Sequence, residues 1–356
     1  MANSGAAKSV RLAVASVVLL VVSSSAALIS GMSLLEIAIR QGWVRWDLPP
    51  FNPYQQKTAG TFRVLVLGDS FSRLYPDARA FGNLLQAGLA SRGVESLNLA
   101  WSGYGPIDSL RAFTRDAAAF APDVVVLGYY VGNDLTDTIS LIRGVPIEQA
   151  LAEVRKRPPG WSRLAAEFHS LAFVADRWHR ADFHVRWGAS PSAAADIDLA
   201  PLNPFWYEVR RHDPKFHRVN LLLEGEGTSG WSANEKILTR LHADAVARGA
   251  RMAIIAFPST LQVDTTHYDF FANLGIDVDN AFLETRRPQD LLERFCAREG
   301  IFFVDLLPKF RRHANEELFW ARDDHLNVQG NALAFQEVWS SLVDAGILPA
   351  GSVDGR

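Results

Sequence analysis

A serine at the end of a strand is the first residue in this chain equipped for covalent chemistry. Gly68-Asp69-Ser70 follows the apolar run Phe62–Leu67, which has the length and β-branched content of a buried strand. Active sites of open α/β sheets lie at the carboxyl ends of strands, so Ser70 is a candidate nucleophile for acyl transfer. That chemistry needs more than a hydroxyl. A base must take its proton, a partner must orient the base, and donors must meet the oxygen that becomes negative. Gly, Asp and Ser are also common turn residues, so the tripeptide gains meaning only if the other parts follow at later strand ends.

The elements that must position such parts are readable as an alternating pattern. Candidate strands are Phe62–Leu67, Glu95–Leu99, Asp123–Tyr129, Arg251–Phe257 and Ile301–Asp305. Candidate helices are Ala80–Arg92, Pro106–Phe120, Asn234–Arg248, Pro288–Glu299 and Val328–Ala345. Short apolar strands alternating with amphipathic helices predict a parallel α/β sheet covered on both faces. Leu141 to about Gly230 breaks the rhythm and reads as a long insertion within the domain, with helix over Glu148–Arg155 and Arg163–Trp178. Insertions at a sheet's carboxyl edge often form lids or substrate walls. Phe257–Pro288 is a second irregular segment.

Three further groups fall in later loops: Asn98-Leu99-Ala100-Trp101-Ser102-Gly103-Tyr104-Gly105, Gly132-Asn133-Asp134, and Asp323-Asp324-His325-Leu326-Asn327. Together with Gly68-Asp69-Ser70, in this order, they resemble the blocks of the SGNH/GDSL hydrolase superfamily. The resemblance runs from about Phe62 to Ile347, with the insertion outside it. It implies a three-layer flavodoxin-like fold and ester hydrolysis or acyl transfer from a serine. Ser70 would be the nucleophile. His325, one of nine histidines, would be the general base, since an unperturbed imidazole titrates near neutrality. The oxyanion hole would be the backbone N–H groups of Ser70 and Gly103 and the side-chain amide of Asn133, with Gly105 a nearby competitor to Gly103. Each residue also has a plainer role open to it: helix cap or turn for Ser70, turn for Gly103 and Asn133, surface loop for His325.

One position departs from the family pattern. The aspartate expected three residues before the histidine is replaced by Arg322. Some membrane-linked members have an Asp-x-His spacing, which would make Asp323 the orienting acid. Asp324, or a backbone carbonyl in its place, is the alternative, and the unused aspartate is expected to be a solvated loop charge.

Outside the blocks, the N-terminus carries the clearest signal. Leu12 to Leu35 is a run of 24 uncharged residues after Lys8 and Arg11. As a helix it would span ~36 Å, against a hydrocarbon core of ~30 Å. The expected organisation is a transmembrane signal-anchor over residues 1–36, a proline-containing tether over 37–60, and the hydrolase-like domain over 61–348 with its insertion at about 141–230. The charges ahead of the run put the domain outside the cytoplasmic membrane, in the periplasm. A cleaved signal peptide, with Leu12–Val22 as its apolar region, would instead release it.

The remaining residues narrow the function class. With 48% hydrophobic and 21% charged residues and a net charge of −3, the chain has the composition of a packed domain and no electrostatic case for nucleic acid. The single cysteine, Cys296, reads as an unreactive thiol. His179, His184, His212 and His217 are loosely spaced, with no acidic or cysteine ligands at a metal-binding interval, so no metal or cofactor is called for. Trp161, Trp178, Trp187, Trp206 and Trp231 suit sugar stacking, a membrane face or core packing. The expected activity is therefore a serine esterase or O-acyltransferase acting on an ester, with O-acetyl groups on cell-envelope glycans the substrate class by analogy. A non-catalytic envelope glycan-binding module and a membrane-associated GDSL lipase are the alternatives.

Overall fold

The computed structural model describes residues 23–38, 41, 57–73, 79–154, 170, 174, 206, 209 and 213–349. The tether, the helix expected over Arg163–Trp178, His179, His184, His212, Trp161, Trp178 and Trp187 lie wholly or largely outside these residues. The chain divides into two compact units, one of Met1–Leu48 with Pro158–Pro191 and the other of Pro49–Arg157 with Ser192–Arg356.

In the first unit, α1 covers residues 23–38 and includes the end of the expected anchor. Leu28, Ile29 and Leu34 are exposed on it. The Glu36 carboxylate accepts the Ser170 N–H at 2.7 Å. Among the described residues no helix is long and apolar enough to cross a membrane.

The second unit is built on a five-stranded parallel sheet of order β2-β1-β3-β4-β5. Its strands are β1 (Arg63–Leu67), β2 (Glu95–Asn98), β3 (Val124–Tyr130), β4 (Arg251–Phe257) and β5 (Phe302–Asp305). Alternation along each strand sorts side chains between two cores. Leu65, Leu67, Val125, Leu127 and Tyr129 enter one, while Val64, Val66, Val124, Val126 and Tyr130 enter the other. Helices α3 (Pro106–Phe120), α7 (Gly227–Val246) and α11 (Arg287–Glu299) cover the first face through Phe113, Leu241 and Phe295. Helices α2 (Phe81–Ala90) and α13 (Val328–Asp344) cover the second through Phe81, Leu85, Val338 and Leu342. Full burial of each such side chain contributes about 1.5–3 kcal/mol, and strands apolar on both sides are what a parallel sheet requires. The three-layer architecture expected from the alternating pattern is the one observed.

The strand order reverses direction between β1 and β3, and a crevice opens at that point beyond the carboxyl ends. Ser70 follows β1 and Asn133 follows β3, so both flank the crevice.

The elements that differ from expectation do so for local reasons. Helix α4 (Asp134–Gly144), absent from the expected helices, runs into the start of the expected insertion. Its β-branched residues Thr136, Thr138 and Ile139 weaken the helical signal, while Asp134 and Asp137 in its first turn suit a helix N-terminus. Helix α7 starts at Gly227, ahead of the expected Asn234, because Gly230 lies where a Cβ would sit 2.4 Å from Ile139. Close packing on α4 therefore requires a residue that reads as a breaker. Helices α5 (Ile147–Val154) and α6 (Phe216–Leu222) complete the described part of the insertion. The segment expected to be irregular holds α8 (Thr260–Val263), α9 (Tyr268–Asn273) and α10 (Ala281–Glu284), and α12 (Leu307–Arg312) follows β5. All are too short to show a helical period. Cys296 is buried, and burial pushes its thiol up to about 12, so it is an inert core thiol as expected. Trp206 and Trp231 pack on the first core.

His217 is also in that core. Its ring lies among those of Trp206, Phe216, Phe271 and Phe282, and among the described residues neither ring nitrogen has a hydrogen-bond partner. Burial pushes this imidazole down to about 3, so it is neutral in the fold and charges only on unfolding at ordinary pH. Folded protein then binds fewer protons than unfolded protein between about 3 and 6.5, and His217 costs stability as pH falls through that window. Against His217→Leu, wild type should lose about 1.4 kcal/mol of relative stability per pH unit between pH 6 and pH 4. Urea unfolding of both proteins across that range checks this, and parallel stability curves would refute it.

Candidate active site

Ser70 is held in a tight turn at the end of β1. The Asp69 carboxylate accepts the Phe71 N–H at 2.9 Å, and the Asp69 carbonyl accepts from Ser72 and Arg73 at 3.2 and 3.1 Å. The loop after β2 is tied to the same turn. Trp101 N–H donates to the Gly68 carbonyl at 3.1 Å, and the Ser102 hydroxyl to the Arg73 carbonyl at 3.4 Å. Gly103 sits in that loop with φ +81, and a Cβ there would meet nothing within 4 Å. Its backbone conformation, not a lack of space, is what favours glycine.

His325 comes from the far end of the chain on a hairpin-like loop. Phe319 and Leu326 form an antiparallel bridge, Trp320 N–H donates to the His325 carbonyl at 2.9 Å, and Asp323 N–H donates to the Trp320 carbonyl at 3.2 Å. Arg322 closes the turn with φ +60, the left-handed value that the third residue of a type II turn needs. Side chains alternate after the turn. Asp323 and His325 meet on one side, where His325 Nδ1 lies 2.8 Å from Asp323 Oδ1. His325 Nε2 lies 2.7 Å from Ser70 Oγ. A carboxylate only accepts, so Nδ1 carries a proton and donates it to Asp323. With the imidazole neutral, Nε2 then accepts from the Ser70 hydroxyl. The structure thus joins three of the expected site residues in one hydrogen-bonded row.

Asp324 corrects an expectation. It is only 4% exposed and is no solvated loop charge. Its Oδ2 accepts the Tyr130 hydroxyl at 2.6 Å, and its Oδ1 lies 3.5 Å from His325 Nδ1. Asp323 is the closer acid.

Asn133 follows β3, and its carbonyl accepts the Asp137 N–H at 2.9 Å. Its side chain favours the ionised form of the Asp69 carboxyl. Asn133 is thereby brought beside the Ser70 turn, while Gly103 approaches the turn through Trp101 and Ser102.

The charges follow from burial and proximity. Burial works against the His325 imidazolium, but Asp323, helped by Asp324 and Asp69, outweighs it and lifts the group to about 9. Burial works against the Asp323 carboxylate too, but His325 and the hydrogen bonds it receives hold it well below the usual carboxylate range. Burial pushes Asp324 up to about 7 and Asp69 up to about 6. In α4, burial pushes Asp137 up to about 8 and Asp134 well above its ordinary value. Asp323 is the carboxyl that is firmly ionised at neutral pH. Among the described residues, Asp323, Asp324 and His325 are the group whose ligand atoms are close enough to share a metal ion. Both His325 nitrogens and Asp323 Oδ1 are already engaged in the hydrogen bonds above, so a cation there would compete with the row.

Four supporting residues were not anticipated. Tyr130 reaches the site because it shares strand parity with Val124 and Val126, a signal present in the alternation of β3. The Phe71 ring stacks between Tyr130, at 3.7 Å between centroids, and His325, at 5.2 Å. His267 braces the hairpin. Its Nε2 donates to the Trp320 carbonyl at 3.0 Å, and its Nδ1 faces the Thr260 hydroxyl at 3.0 Å. Asn331 links the hairpin to α2, accepting the Phe81 N–H at 2.7 Å and donating to the Leu326 carbonyl at 2.9 Å. No pattern in the sequence marks the last two.

No family model and no curated protein matches this chain by sequence. Among solved structures, the chain is similar to the acetyl xylan esterase AlAXEase, at 13% identity and TM-score 0.42, over 79% of this chain and 100% of that one. It is also similar to a lipase/acylhydrolase from Enterococcus faecalis, at 11% identity and TM-score 0.42, over 80% and 97% of the two chains. An acetylxylan esterase from Geobacillus stearothermophilus matches at 14% identity and TM-score 0.40, over 81% and 96%.

Gly132 provides a test of the packing. A Cβ there would lie 2.3 Å from the Tyr130 ring carbon Cζ and hydroxyl oxygen, so the glycine makes room for the tyrosine. Gly132→Ala should destabilise the protein by about 1–3 kcal/mol, the usual cost of overpacking. Chemical denaturation measures this, and an unchanged midpoint would show that Tyr130 does not occupy that space.

Proposed function

We propose that this chain is a serine ester hydrolase or O-acyltransferase of the SGNH/GDSL type. The observation that carries the reading is the Asp323–His325–Ser70 row, with contacts of 2.8 and 2.7 Å, at the crevice where the sheet order reverses. Ser70 Oγ attacks the ester carbonyl while His325 Nε2 takes its proton. Asp323 stabilises the imidazolium that results. The carbonyl oxygen, now negative, is met by the N–H groups of Ser70 and Gly103 and by the Asn133 amide. His325 then returns the proton to the leaving alcohol. Water or an acceptor hydroxyl gives its proton to His325 and attacks the acyl-Ser70, and His325 returns that proton to Ser70 Oγ as the acid or the new ester leaves.

The finer parts of the proposal rest on the sequence. O-acetyl groups on cell-envelope glycans are the proposed substrate class. The proposed location is outside the cytoplasmic membrane, anchored through Leu12–Leu35 or released if that segment is cleaved. The uncharged run behind Lys8 and Arg11 supports both locations.

The purified full-length protein should hydrolyse a short-chain activated ester. Ser70→Ala should abolish turnover, and Asp323→Asn should lower kcat by about 10²–10⁴. His325 must be neutral to act as base, and it is lifted toward about 9. The rate kcat/KM should therefore climb with pH beyond 6.5, the ordinary imidazole value, before levelling. Steady-state kinetics of the three proteins from pH 5 to 10 measure all of this. Retention of wild-type turnover by Ser70→Ala would end the assignment.

A further inference from the structure

Beside the row, at the same imidazole nitrogen that Asp323 meets, lies a second acid with its own support. Asp324 is fully enclosed. Its Oδ1 is 3.5 Å from His325 Nδ1, and its Oδ2 accepts a 2.6 Å hydrogen bond from the Tyr130 hydroxyl. Tyr130 is held in turn. Its backbone N–H donates to Asp134 Oδ2 at 2.9 Å, its ring stacks on Phe71, and its hydroxyl end occupies the space that Gly132 leaves free. A buried carboxyl fixed by one oxygen and aimed at an imidazole by the other is costly unless it is paired. In this structure the pairing is with the imidazole that faces Ser70.

We propose that Asp324, held by the Tyr130 hydroxyl, is a second acid for His325, a positioning residue that raises the basicity of the imidazole from outside the Asp323–His325–Ser70 row. The role of this basicity in turnover rests on the esterase reading; the electrostatic pairing itself does not. The ionisable groups facing His325 are Asp323, Asp324 and Asp69, and those facing Asp324 are His325, Asp323 and Tyr130. Of these, Asp323 shares its contacting oxygen between His325 Nδ1 and the Asp324 N–H, each at 2.8 Å. Asp324 adds charge to the same nitrogen without competing for the hydrogen bond. The Tyr130 bond favours the ionised form of Asp324, so removing the hydroxyl should act on His325 through the acid.

The experiment follows His325 itself, by NMR titration of its imidazole in the full chain, alongside the pH profile of kcat/KM. Asp324→Asn keeps the shape of the side chain and removes its charge. It should lower the His325 titration and the acid limb of the rate profile by about one pH unit or more, as expected for loss of an opposite charge this close. Tyr130→Phe should shift both in the same direction by a smaller amount, and the double variant should shift no further than Asp324→Asn. A merely structural role for the pair would lower stability and leave the titration in place. A His325 titration within about 0.2 pH units of wild type in Asp324→Asn, below the scale of any such pairing, would overturn the proposal. So would a Tyr130→Phe effect that simply adds to that of Asp324→Asn. Titration shifts of the expected size in the variants, with no ester turnover by wild type, would contradict the hydrolase reading while upholding the pairing.

Discussion

Everything at this site depends on one buried imidazole kept between an acid and a hydroxyl. Burying a group that must become charged is unfavourable in proportion to how completely water is removed. The structure offsets that cost for His325 with Asp323 at 2.8 Å and with a second carboxyl slightly further away. The offset works only if the hairpin holds both acids still. The left-handed Arg322 turn, the His267 bond to the Trp320 carbonyl and the Asn331 bridge to α2 all restrain that hairpin. Each limits how far His325 can move from Ser70.

The sheet solves the other half of the problem. A parallel arrangement with β1 and β3 at its centre brings the residues after two separate strands to one crevice, and the loop after β2 is pinned to the first of them through Gly68. Residues 255 positions apart in sequence, Ser70 and His325, therefore meet at hydrogen-bond distance. Burial raises the Asp134 and Asp137 carboxyls of α4 above their ordinary values, which disfavours negative charge there.

The strands were legible as short continuous apolar runs, and most of the covering helices as amphipathic periods of 3.6. Ser70, Asn133 and His325 were legible because they stand at the ends of those elements. What stayed hidden was set by tertiary contact. Helix α4 is rich in β-branched residues and is stabilised by packing on α7. The start of α7 depends on Gly230, which reads as a breaker but is needed for close approach. The burial of Asp324 depends on a tyrosine 194 positions away, and no local pattern in Asp-Asp-His distinguishes an acid turned inward from one turned to water. The two-residue spacing of Asp323 and His325 was visible, but its meaning needed the hairpin. Residues two apart share a side only when the chain is pleated, whereas a spacing of three suits a helical turn.

The central claim is that Ser70 is activated through His325. It is tested most directly by reacting the full-length protein with a fluorophosphonate and locating the adduct by mass spectrometry of its peptides. The account predicts a single adduct on Ser70, formed at least about 100-fold more slowly in His325→Ala, because a hydroxyl without its base is a weak nucleophile. No adduct at Ser70, or one that forms as fast in His325→Ala as in wild type, would contradict it.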